Sequence, residues 1–83
     1  MKIEVRYFAW LRERIGESRE VIETNAENAA DLVTELRKIS PHHAAAFADM
    51  TALRVAYDQE LTRFDAPLGN TREVAFFPPM TGG

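Results

Sequence analysis

The chain has 83 residues, which is enough for one domain and one core, and 46% of them are hydrophobic. Ten Lys and Arg against thirteen Asp and Glu leave a net charge of -3 and a pI near 5.3, with no basic patch of the kind that would bind nucleic acid. The absence of Cys removes disulfides, Cys-ligated zinc and thiol nucleophiles together. No apolar run approaches the roughly 18 residues of a membrane span, and Met1-Lys2-Ile3-Glu4 lacks a signal-peptide pattern. A cytoplasmic protein with neither a membrane nor a nucleic-acid partner is therefore expected.

Ile3, Val5 and Tyr7 alternate with Lys2, Glu4 and Arg6, the period-two pattern of a half-buried first strand, and Phe8-Ala9-Trp10 reads as its extension. Residues 11–16 read as a turn-like segment punctuated by Gly16. Glu20-Val21-Ile22-Glu23 is a short second strand that forms a hairpin with the first. Asn28 is placed to cap a helix, with Asp31 three residues on as its capping-box partner. Ala29, Leu32, Val33, Leu36 and Ile39 follow as one apolar stripe at helical spacing. Arg37 and Lys38 lie at its C-terminal end, where the helix dipole favours cations, and Ser40-Pro41 stops it.

Residues 42–49 are alanine-rich and read as a short helix or turn. Leu53, Val55 and Tyr57 alternate as a third strand, residues 61–64 form a short edge strand, and residues 65–70 carry turn chemistry. Residues 73–77 are the last strand. Two paired strands, a helix and later strands predict an α+β roll with one main helix on one sheet face. The His42-His43 pair, without Cys or further His, reads as solvated rather than as a metal site.

The end of the chain is graded in composition. After the strand, Pro78 and Pro79 offer no N–H to a ladder and fix φ, so the chain leaves as a stiff spacer. Gly82 and Gly83 carry no Cβ and can thread a narrow channel. Residues 78–83 reach about 20 Å when extended, enough to enter a pocket on another protein. The expected organisation is a folded domain over 1–77 and a flexible extended tail over 78–83 that presents the carboxylate of Gly83.

If Val74 and Phe76 point to the core, the pleat turns Ala75 and Phe77 to the opposite side. Phe77 there is a natural anchor for a partner pocket. Leu61, set in a polar stretch, is a second exposed candidate, and Phe8 is a third, because it shares a strand face with Lys2, Glu4 and Arg6.

The element order and the tail together resemble the ubiquitin-like β-grasp fold. Within it the chain is most similar to the MoaD-like sulfur carriers, the small subunits of molybdopterin synthase. The resemblance rests on Tyr7-Phe8-Ala9-Trp10-Leu11-Arg12-Glu13, on Leu53-Arg54-Val55-Ala56-Tyr57-Asp58, on Asp65-Ala66-Pro67-Leu68, and above all on Glu73-Val74-Ala75-Phe76-Phe77-Pro78-Pro79-Met80-Thr81-Gly82-Gly83. It departs at Asp58, where the family commonly has Asn, and at Thr71-Arg72, where it commonly has Gly-Asp.

The resemblance implies a mechanism. A carboxylate with a pKa near 3.5 is ionised at neutral pH and a poor electrophile, so it needs activation. An E1-like adenylating enzyme would use ATP to form an acyl-adenylate on Gly83, and sulfur would displace AMP to leave a thiocarboxylate. The tail, Pro78, Pro79, Met80, Thr81 and Gly82 included, would insert into the large catalytic subunit. There the sulfur would attack a cyclic pyranopterin monophosphate to build the molybdopterin dithiolene. Phe77 and Leu61 would lie in the subunit interface, a dimeric large subunit would make a heterotetramer, and the carrier itself would bind no cofactor. The chain shows no nucleophile–base pair or metal set of its own. Two other readings remain: a related carrier for thiamine, cysteine or tungsten-cofactor chemistry, and a protein modifier joined through Gly83 to a lysine.

Overall fold

The computed structural model describes residues 1–79. Within them the chain runs β1 (Lys2–Tyr7), α1 (Trp10–Ile15), β2 (Arg19–Glu23), α2 (Ala29–Leu36), α3 (Pro41–Ala46), β3 (Arg54–Tyr57), β4 (Glu60–Thr62) and β5 (Glu73–Phe77). The sheet order is β2-β1-β5-β3-β4. The first and last strands lie side by side in parallel, and the remaining pairs are antiparallel. The expected α+β roll is present, and the tail expected over 78–83 lies outside the described residues from Met80 onward.

Register follows from which side chains must leave water. Val5 sits opposite Val74 and Tyr7 opposite Phe76, while Val55 is opposite Phe76 from the other side. These residues share the inner face, and all are buried. Leu11, Ile15, Leu32, Val33 and Leu36 cover that face and join the same core. At its centre the Phe47 ring meets Phe76 edge-on at 5.2 Å and Tyr7 at 6.2 Å, and Phe64 stacks on Phe76 at 6.1 Å.

Several local expectations are corrected. The first strand stops at Tyr7, because Ala9 takes a positive φ of 54° that breaks the extended run. Residues 10–15 are then helical rather than turn-like. Leu11 and Ile15 are one helical turn apart and both buried, and Gly16, at φ 91°, closes the helix by donating its N–H to the Arg12 carbonyl. Helix α2 ends at Leu36, so Ile39 is not part of its buried stripe and is 47% exposed.

Ser40-Pro41 opens α3 rather than closing α2, which has already ended at Leu36. The Ser40 hydroxyl accepts the His43 N–H, and Pro41 occupies the first turn. Arg37 caps a different helix from the one expected: its Nε and Nη2 donate to the Phe47 carbonyl at the end of α3, at 3.1 and 2.6 Å. At Asn28 the cap is as expected, accepting the Asp31 N–H at 2.8 Å. The return bond, however, runs from the Glu27 N–H to Asp31 at 3.3 Å, one residue upstream of a regular capping box. The edge strand begins at Glu60, and Phe64 turns under the core rather than extending it.

His43 is buried, not solvated. Its Nε2 lies 2.6 Å from Glu20 Oε2, and its Nδ1 lies 2.8 Å from the Ser40 hydroxyl. The Tyr7 hydroxyl donates to the same Glu20 oxygen at 2.8 Å. One carboxylate on β2 therefore ties β1 to α3 through polar groups that would otherwise be unpaired in the core.

Burial, then the hydrogen bond and negative charge of Glu20, push the Tyr7 hydroxyl far above the ordinary tyrosine value of 10.0. The unfolded chain therefore loses this proton first, so Tyr7's contribution to stability is whole below about pH 10 and declines as pH rises beyond it. Tyr7→Phe removes that part of the decline. Urea midpoints measured at pH 8 and at about pH 11 should separate less in the variant than in the parent.

Candidate functional site: the open face of the sheet

The inner face of the sheet is covered and the outer face is bare. The same pleat that buries Val74 and Phe76 turns Glu73, Ala75 and Phe77 outward. Arg6 and Ala56 flank Ala75 from the two neighbouring strands, Leu61 lies beyond Ala56, and Arg54 is opposite Phe77. Ala75 and Ala56 are buried floor residues, whereas Leu61 and Phe8 stand up as walls at 68% and 40% exposure. Between them runs an open groove of about 490 Å³ with a mostly apolar lining: Phe8, Ala56, Leu61, Ala75, Phe77 and Pro78, with Arg6, Gln59 and Glu73 on its polar side. With Leu61 and Phe8 exposed at its edges, this groove is the candidate interaction surface.

Pro78 belongs to the groove wall, so the chain leaves the sheet at the groove. Phe77, Pro78 and Pro79 are all half-buried. The structure thus gathers four residues singled out from sequence, Phe8, Leu61, Phe77 and Pro78, on one surface. Met80, Thr81, Gly82 and Gly83 lie outside the described residues. The other groove residues, among them Arg6, Gln59, Glu73 and the strand alanines Ala56 and Ala75, were not singled out. The signal for the alanines was present, since Ala is a poor strand former and both lie on the Phe77 side of the pleat in otherwise bulky strands.

Two ion pairs lie on this face. Arg19 reaches Glu4 at 3.1 Å, and Arg6 reaches Glu73 at 3.8 Å. The Arg6 guanidinium also lies 5.5 Å from the centre of the Phe8 ring, a cation–π distance. Below the groove, the β3–β4 turn places Asp58 and Gln59 at positive φ. Asp58 Oδ1 accepts the N–H groups of Arg72 and Glu73 at 3.1 and 2.9 Å. An Asn carbonyl would serve equally as that acceptor, so the departure from the family at Asp58 keeps the hydrogen bonds that start β5.

Among the described residues no helix is long and apolar enough to cross a membrane, and no group of three His, Cys, Asp or Glu is placed to hold a metal ion. What the site offers is a shaped apolar face at which the chain leaves the sheet through Pro78.

Structural neighbours define the class: the fold is the ubiquitin-like β-grasp. SAMP1 from Haloferax volcanii superposes with a TM-score of 0.78 at 22% identity, covering 100% of both chains. A complex of subunits 1 and 2 of the molybdopterin-converting factor from Helicobacter pylori contains a chain that matches with a TM-score of 0.66 at 23% identity, again over 100% of both. The chain belongs to the ThiS family, which matches residues 5–83. It is 43% identical to the molybdopterin synthase sulfur carrier subunit of Escherichia coli, over 98% of this chain and 99% of that one. The resemblance to the MoaD-like carriers is borne out by these matches.

The two adjacent phenylalanines should separate cleanly on substitution. Phe76→Ala opens a cavity among Phe47, Phe64 and Tyr7 and should cost about 3–5 kcal/mol. Phe77→Ala removes a half-exposed ring from the open face and should cost less than about 1.5 kcal/mol. Chemical denaturation of both variants checks the difference, and equal losses would place Phe77 in the core.

Proposed function

We propose that this chain is the sulfur-carrier small subunit of molybdopterin synthase and that Gly83 is its reactive residue. The observation that carries the reading is near-full-length likeness to a sulfur carrier subunit, with a family match that runs through Gly83. The apolar groove adjoining the start of the tail supports it.

In this reading the domain aims the tail and the partners do the chemistry. An E1-like enzyme joins the Gly83 carboxylate to the AMP portion of ATP, releasing pyrophosphate. A sulfur nucleophile then attacks the activated carbonyl carbon and AMP leaves, so the terminus carries a thiocarboxylate. The open face docks on the large subunit through Phe77, Leu61 and Phe8, while Pro78 and Pro79 stiffen the exit and Met80, Thr81 and Gly82 thread toward its active site. There the thiocarboxylate sulfur attacks a side-chain carbon of the cyclic pyranopterin monophosphate, a carbon–oxygen bond of that side chain breaks as the carbon–sulfur bond forms, and water cleaves the acyl–sulfur bond to restore the carboxylate. Each carrier delivers one sulfur, so a dithiolene needs two deliveries, and a dimeric large subunit with a carrier at each end gives a heterotetramer. The setting proposed is the cytoplasm.

The carrier chemistry is tested by intact mass after incubation with the host's adenylating enzyme, ATP and a sulfur source. The expected shift is the replacement of one oxygen by sulfur, lost when Gly83 is deleted. An unshifted mass with active controls would refute the reading. Gly82→Trp, or one residue appended after Gly83, should abolish sulfur transfer while leaving the unfolding midpoint unchanged. Full transfer by either variant would show that the tail does not thread.

A further inference from the structure

Arg6 stands out on the open face because its surroundings do not finish its hydrogen bonding. It sits on β1, beside the Ala75 floor of β5 and the Phe8 ring, with Phe77 further along β5. Its Nε is hidden from solvent and has no hydrogen-bond partner among the described residues. Its one carboxylate contact among the described residues, to Glu73, is long at 3.8 Å. The cross-strand neighbour Arg19 brings a second positive charge, and Glu4, the other acid on this part of the face, already holds Arg19 at 3.1 Å. The guanidinium is thus steered by the Phe8 ring and Glu73 but bound tightly by neither.

A partner that covers the groove strips water from Arg6 together with the apolar residues around it. A desolvated guanidinium without a well-aligned acceptor opposes binding, whereas one met by a carboxylate can form a planar, two-bond pair. We propose that Arg6 is a specificity residue of the docking face, and that the protein seated on the groove places an Asp or Glu carboxylate against it, surrounded by an apolar rim. The inference rests on the reading of this face as the large-subunit interface and adds the chemistry of the group that must face it. Arg6 acts on recognition rather than on the sulfur chemistry, and partners lacking the acid are rejected by the cost of covering an unpaired cation.

The test is the affinity of the carrier for the large subunit of its own organism, measured at low and high salt for the parent, Arg6→Leu, Arg6→Lys and Phe77→Ala. Thermal melts confirm that each variant is folded. Arg6→Leu is expected to weaken binding about ten-fold or more and to flatten the salt dependence, although it adds apolar surface to an apolar groove. Arg6→Lys should keep the salt dependence and recover only part of the affinity, because the ammonium lacks the fork. Phe77→Ala should weaken binding with its salt dependence intact. If Arg6→Leu binds as tightly as the parent with an unchanged salt slope while Phe77→Ala weakens, no carboxylate faces Arg6 and the proposal is wrong. If neither substitution weakens binding, the face is not the interface, and the proposal falls with that reading.

Discussion

Two neighbouring phenylalanines on β5 are pulled in opposite directions by the pleat, and much of the molecule follows from that opposition. Phe76 must lie inside, because the rings of Phe47 and Phe64 close around it. With Phe76 inside, Phe77 cannot be there as well. Because β5 is hydrogen-bonded on both sides, to β1 in parallel and to β3 antiparallel, a slip of one residue would turn every side chain of the strand over. Packing of the core therefore also determines which aromatic faces outward and in what direction the chain leaves the sheet.

The outer face is the complement of that core. Alanines at positions 56 and 75 lower the floor, while Leu61, Phe8 and Phe77 raise the walls. Under the proposed function this is the surface that the partner covers. Pro78 in the groove wall places the chain's exit from the sheet beside this surface, so under the proposed function docking and delivery would be neighbouring parts of one arrangement. The hydrogen-bonded cluster of Tyr7, Glu20, His43 and Ser40 lies on the other side of the sheet, where it fastens α3 to the strands and leaves the open face unencumbered.

Strands and the open face were legible in the sequence because alternation is a local pattern. Ile3, Val5 and Tyr7, or Val74 and Phe76, announce their side of the sheet without any knowledge of what covers them. Helix α1 was hidden because only Leu11 and Ile15 mark its buried side, too few positions to define a period within the charged run 12–14. Ser40-Pro41 was ambiguous in a more basic way: the dipeptide that stops one helix is also a good cap and first turn for the next. The burial of His43 depends on Glu20, 23 residues away, and no local pattern carries that partnership. Arg6 was passed over as one polar residue of an alternating strand, its significance arising from Glu73 and Phe8 as the fold arranges them.

The most direct measurement is a reconstitution with purified parts: carrier bearing the Gly83 thiocarboxylate, large subunit, and cyclic pyranopterin monophosphate. Thiocarboxylate consumed and molybdopterin formed are followed in the same reaction. Consumption of two thiocarboxylates for each molybdopterin, with the carrier returned to its carboxylate mass, is the predicted result. A carrier that stays loaded beside an active large subunit, or that gives up its sulfur without forming the dithiolene, would contradict it.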